Sequence, residues 1–149
     1  KPLALKRETY NSAVDRATTD REIKALKTKG INTLCPDYPQ PMWFYDICDR
    51  VGIYVLVTAP VNTSSSGLSR KRGGNPSNDP KWRDEYVKRT MEMFYTTRRH
   101  PSVIAYFLAD DSSNGIALYE SYLALKSVVG DRPVIYLDGG KEWNSDYHK

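Results

Sequence analysis

The sequence predicts an α/β fold on a parallel sheet, with roughly five strands and four helices. Three observations predict it. Short apolar runs alternate with helical patterns four times over. Gly30, Gly52 and Gly130 fall where three of the four helical patterns should stop. The connections between elements are short, apart from one. At 149 residues, 40% hydrophobic and 27% charged, the chain is long enough for a single domain, residues 1–149, with a sizeable core.

Each element has its own local reason. Leu3 to Lys6 reads as a short first strand. Thr19 or Asp20 can cap the first helix, Ile23 and Leu26 give it an apolar face, and Gly30 ends it. Ile31 to Cys35 is the second strand, broken by Pro39 and Pro41, and Pro41 also suits the first turn of a second helix. That helix carries Phe44, Ile47, Cys48 and Val51 on one side and stops at Gly52. Ile53 to Val57 is a continuous apolar run, as expected of a strand covered on both faces.

Residues 62–79 have almost nothing to bury and read as a long flexible loop; the alternative is a loop at the mouth of a site. After it, Asp79 and Pro80 open a third helix with Trp82, Val87, Met91 and Phe94 at helical spacing, a stripe expected to pack on the sheet. His100-Pro101 ends it. Ser102 to Leu108 is the fourth strand. Ser112, Ser113 or Asn114 can cap a fourth helix with Leu118, Tyr122, Leu125 and Val129 facing inward, and Pro133 to Leu137 is the fifth strand.

Bulk numbers exclude some functions. A balance of 22 basic against 18 acidic residues is mild, and no basic stripe with interleaved aromatics points to nucleic acid. No apolar run approaches the roughly 18 residues of a membrane span. Cys35 and Cys48 form no C-x-x-C, so neither zinc nor any other metal is expected; they read as two buried thiols or a disulfide. No glycine-rich phosphate loop follows a strand, and no cofactor is expected. Right-handed crossovers leave two architectures, an open doubly wound sheet or part of a (β/α)8 barrel, whose closed form needs about 250 residues.

The richest stretch is Arg98 to Asp111, R-R-H-P-S-V-I-A-Y-F-L-A-D-D. It sets two carboxylates, Asp110 and Asp111, just past a buried strand, where a barrel keeps its active site. Three readings are open for the pair: a turn, a sugar-binding remnant, or a working acid/base.

Gly30-Ile31-Asn32-Thr33-Leu34, Tyr38-Pro39 and the run from Phe44 to Val55, F-Y-D-I-C-D-R-V-G-I-Y-V, resemble the catalytic barrel of glycoside hydrolase family 2, the β-galactosidase and β-glucuronidase group. So do Arg99-His100-Pro101-Ser102-Val103-Ile104, Ser112-Ser113-Asn114-Gly115 and Asp131-Arg132-Pro133-Val134-Ile135-Tyr136. The resemblance covers about 130 of the 149 residues. It implies the N-terminal part of a TIM barrel, and a retaining glycosidase in which two carboxyl groups about 5–5.5 Å apart act as acid/base and nucleophile.

The same resemblance places the changes. The family's Asn-Glu pair ending the fourth strand falls on Asp110-Asp111, which makes Asp111 the degenerate acid/base position. The glutamate ending the third strand falls on Thr58, and the arginine and histidine after the second strand fall near Cys35 and Asp37. The seventh strand, where the family keeps its nucleophile, lies outside these residues. Asp110, Asp37, Thr58 and Trp143 are the expected sugar contacts; Trp143 is the stacking candidate, whereas Trp43 and Trp82 read as packing residues.

These points set the functional expectation. The chain is a fragment of a family 2 glycoside hydrolase, inactive by itself; the alternative is a non-catalytic pseudo-enzyme or carbohydrate-binding module. Its expected partners are a carbohydrate, the remainder of a parent chain, and a second copy through open barrel edges, with no nucleic acid and no membrane. The resemblance leans toward an extracytoplasmic setting.

Overall fold

The computed structural model describes residues 4–137 and 144–147. Five strands, β1 (Arg7–Glu8), β2 (Thr33–Leu34), β3 (Tyr54–Thr58), β4 (Val103–Phe107) and β5 (Val134–Ile135), alternate with four helices, α1 (Arg16–Thr28), α2 (Met42–Val51), α3 (Arg83–Thr97) and α4 (Ile116–Lys126). All pairings are parallel and the strand order is sequential, β1-β2-β3-β4-β5. That order decides between the two architectures. A doubly wound sheet reverses its strand order at a switch point, whereas a barrel adds strands in chain order.

The core supports the same conclusion. Ile23, Phe44, Met93 and Leu118, one from each helix, join Leu34, Val55, Val57, Tyr106 and Val134 in a single apolar cluster. All four helices therefore cover one face of the sheet. The other face carries a smaller cluster of Leu56, Ala105 and Phe107, with Cys35, Ile104, Ile135 and Leu137 packed against it. The alternation of Val55, Leu56, Val57 and Thr58 between these faces is the period of a strand. The register shifts between Val55 and Leu56, which face Val103 and Ala105, so β4 bulges at Ile104. The inner face opens on an apolar cavity of about 420 Å3 that includes Leu56, Phe107, Ile135 and Leu137.

Several boundaries differ from expectation. The first strand is Arg7–Glu8, paired with Thr33–Leu34, and Ala4 to Lys6 are outside it; Leu3, the expected start, lies outside the described residues. Helix α1 begins earlier than expected: Asp15, not Thr19 or Asp20, accepts a 2.8 Å bond from the Thr18 amide as its cap. Helix α4 starts after Gly115, with no side-chain cap from Ser112, Ser113 or Asn114. Its inward stripe is as expected, with Leu118, Leu125 and Val129 buried and Tyr122 packed against them. The α3 stripe holds only in part, with Phe94 buried and Val87 and Met91 half-buried. Tyr86, Thr90, Met93, Phe94 and Thr97 are buried, while Trp82 precedes the helix in a 3-10 turn and is 47% exposed. Two threonines disguised the true face; Thr97 is tolerated there because its hydroxyl bonds the Met93 carbonyl at 2.6 Å.

Asp49 on α2 joins the helix layer to the start of β4. It accepts the Ser102 amide at 2.9 Å and stands 2.7 Å from His100 Nδ1. Burial raises the Asp49 carboxyl, but the bonds from Ser102 and His100 outweigh it and hold the group below the ordinary carboxylate range. Asp46 lies near the same pair. This cluster sits beside the N-terminal start of β4, away from the C-terminal strand ends.

Candidate functional site

The site begins where the strands end. Thr58 closes β3, Asp110 and Asp111 follow β4, and Asp37 follows β2. The fold brings all four to one cleft of about 320 Å3, with Arg7, Cys35 and Phe107 also in its wall. Parallel strands make this inevitable: their C-terminal ends share one edge of the sheet, and the loops leaving them converge there. Trp143 lies outside the described residues.

Each side chain is held differently. Asp37 forms a reciprocal pair with Asn11: the Asn11 amide donates to its carboxylate at 2.7 Å, and the Asp37 amide donates back to the Asn11 oxygen at 3.0 Å. Asp110 accepts from the Asn62 amide at 2.8 Å, while its own N–H donates to the Val61 carbonyl at 2.9 Å. Asp111 is exposed; its carbonyl accepts the Thr63 amide at 3.0 Å, and its carboxylate makes no hydrogen bond among the described residues. Thr58 is only 7% exposed, and its hydroxyl has no partner among the described residues.

The charge pattern is lopsided, three carboxylates facing one guanidinium. Burial pushes the Cys35 thiol up, against the pull of nearby Arg7, and Asp37 pushes the same way. Cys35 is thus held as a thiol, and the thiolate is what a nucleophile requires. Cys48 is buried among the helix-facing residues, with its thiol pushed up by burial. The two cysteines belong to opposite faces of the sheet and both are free.

Neither aspartate caps α4, so the turn reading does not rest on helix capping. Together they clamp the β3–α3 loop to the β4–α4 loop. The Thr63 amide also reaches the Ser112 hydroxyl at 3.1 Å, Ser113 donates to the Leu68 carbonyl at 3.3 Å, and the Tyr136 hydroxyl donates to the Ser112 carbonyl. Behind them, Asn114 and Asn144 are buried against one another through their amides.

Sequence reasoning missed Arg7, Asn11 and Asn62. Arg7 begins β1, one residue past the strand expected from the sequence, and reaches the cleft wall from there. Asn11 and Asn62 lie in loops with no periodic signal, and only the packing of distant segments brings them to Asp37 and Asp110.

Sequential parallel strands, helices on one face and a polar cleft at the strand ends define a barrel-type α/β protein of the kind that carries its site in the βα loops. Residues 7–148 match the family described as "Glycosyl hydrolases family 2, TIM barrel domain", and the chain belongs to that family. It is 35% identical over 130 residues to a β-galactosidase of Enterobacter cloacae, covering 85% of this chain and 12% of that enzyme. Among solved structures it is similar to a Ruminococcus gnavus β-glucuronidase in complex with uronic isofagomine. There the TM-score is 0.78 at 17% identity, over 99% of this chain and 29% of the other. It is also similar to the Amycolatopsis orientalis exo-chitosanase, with a TM-score of 0.69 at 21% identity over 91% of this chain and 16% of that one. The chain thus spans about an eighth of the length of the curated β-galactosidases it matches.

Proposed function

We propose that this chain is the substrate-cleft half of a family 2 glycosidase barrel, that its cleft binds a carbohydrate, and that these 149 residues alone do not hydrolyse it. The observation that carries the reading is the convergence of Asp37, Thr58, Asp110 and Asp111 in one cleft at the strand ends. Thr58 puts on the cleft wall a hydroxyl that can both donate and accept, as a sugar hydroxyl requires. Asp37 and Asp110, steadied by Asn11 and Asn62, offer acceptors to others.

The chemistry argues against turnover. Asp111 stands at the family's glutamate position, and aspartate is one methylene shorter, setting its carboxyl back by about 1–1.5 Å. Misplacement by about 1 Å costs on the order of 100-fold in rate. Asp110 stands at the neighbouring asparagine position and replaces a donor with an acceptor. Retaining hydrolysis also needs a second carboxylate about 5–5.5 Å from the acid, which a later strand would have to supply. The alternative, a binding module without catalysis in any longer form, differs only in that last point.

The inner apolar face supports a partner. In a closed barrel the remaining βα units of the parent chain would cover Leu56, Phe107, Ile135 and Leu137; without them a second copy of this chain can pair at the β1 and β5 edges.

The test is turnover of aryl β-galactoside and aryl β-glucuronide by the 149-residue chain and by the longer protein that contains it. No turnover by the short chain is expected. Turnover by the short chain that Asp111→Asn abolishes would sink the proposal. Loss of sugar binding in Thr58→Val, read by calorimetry, checks the cleft itself.

A further inference from the structure

Trp82 was expected in the core and stands instead at the mouth of a second cavity, of about 270 Å3, in the outer flank of the β3–α3 loop. Tyr86, 4% exposed, forms the inner wall, and its hydroxyl is 3.1 Å from Ser77 Oγ. Arg89 is clamped from both sides: Nε donates to Glu85 at 2.8 Å, and Nη1 donates to the Pro60 carbonyl at 2.8 Å. Asn62 lines this cavity too, and the same side chain donates to Asp110 of the main cleft. One hydrogen bond therefore links the walls of the two cavities.

We propose that Trp82, Glu85 and Arg89 form a second carbohydrate site that takes a neutral hexopyranose unit beside the cleft. A pyranose ring has one face of polarised C–H groups and a rim of hydroxyls. The C–H face suits the negative face of an exposed indole. The rim needs donors and acceptors held side by side, which the fixed Arg89–Glu85 pair supplies. The pair neutralises itself, so it favours an uncharged ring over a uronate or an amino sugar, in contrast to the carboxylate-rich cleft. The proposal rests on the carbohydrate reading of the cleft only for its class of ligand, and needs no catalysis there.

The test uses the full-length protein labelled with 5-fluorotryptophan. The Trp82 fluorine signal is identified by its loss in Trp82→Phe. It should shift saturably with methyl β-D-galactopyranoside, and equally in Asp111→Asn. Arg89→Met should weaken that titration about tenfold, the scale of one lost hydrogen bond to a charged group. Methyl β-D-glucuronide at the same concentration should leave the signal in place. A Trp82 signal unmoved by the galactoside, or moved as much by the glucuronide, overturns the proposal; a covering domain over Trp82 would give the first result. If the Trp82 signal moves while Thr58→Val changes no binding, the cleft reading fails and the second site stands. If only Thr58→Val matters, the reverse holds.

Discussion

Gly115 lets the β4–α4 loop approach residues 77–78 of the β3–α3 loop closely, and replacing it with alanine tests that packing directly. Its φ of −177° is ordinary extended backbone, so the glycine is not there for a left-handed turn. It is there for space. A Cβ on residue 115 would lie 2.4 Å from the Ser77 carbonyl carbon and oxygen and 2.6 Å from the Asn78 nitrogen. Ordinary contact begins at 3.4 Å, so the two segments must part by about 1 Å. Overpacking of this kind costs about 1–3 kcal/mol. Parting also stretches the 3.3 Å bond from the Ile116 amide to Asn78 Oδ1, worth roughly 1 kcal/mol. A loss of about 2–4 kcal/mol corresponds to a fall in melting temperature of roughly 5–15 °C for a domain of this size. Calorimetry gives the global value, and hydrogen exchange at residues 75–78 and 114–116 gives the local one. Gly130→Ala is the control: φ is +67° and no atom lies within 4 Å of the added Cβ, so it carries only strain of about 1–2 kcal/mol and no clash. A Gly115→Ala protein that melts within 2 °C of the parent, with unchanged exchange at 75–78, would refute the reasoning.

Other outcomes follow from the same contacts. Asp49 has a folded pKa below its unfolded value, so its stabilisation is present above the unfolded pKa and lost as pH falls through the lower folded one. Asp49→Asn should therefore cost stability at pH 6 and much less near pH 3 in urea titrations; an equal cost at both would show that charge is not the cause. Burial raises both thiols, so the native protein should react with iodoacetamide at pH 8 far more slowly than a free thiol, Cys48 most slowly of all; rapid alkylation of Cys48 without unfolding would contradict its place in the core. We further propose that flexibility in residues 62–79 is confined to the exposed tip. Limited trypsin digestion should then cut first at Arg70, Lys71 or Arg72, with the buried Asn75 and Ser77 end protected. First cleavage elsewhere would count against it.

Much of the fold was legible in the sequence because hydrophobic periodicity and glycine stops are local signals. The stripe Leu118, Tyr122, Leu125 and Val129 announced α4, and Gly52, with φ at 77°, ended α2 where expected. Where the true pattern used polar residues, legibility failed. The buried face of α3 includes Thr90 and Thr97, and their hydroxyls hid it from a reading that counts apolar side chains. Trp82 was misplaced for a different reason, since its spacing fitted a helix that starts one residue after it.

The cleft divides in a similar way. That Asp110 and Asp111 follow a strand is written in the order of residues, because an apolar run gives way to polar residues there, whereas Asp37 and Thr58 were marked only by the family resemblance. The sequence by itself thus determined the strand–helix alternation and the two carboxylates that follow the fourth strand. Only the tertiary structure decided that the strands run in sequential order with all helices on one face, which excludes the doubly wound sheet. It alone joined Asn11 to Asp37 and Asn62 to Asp110, across 26 and 48 residues. Contacts of that separation depend on the packing of the whole sheet, and no local pattern of side chains encodes them.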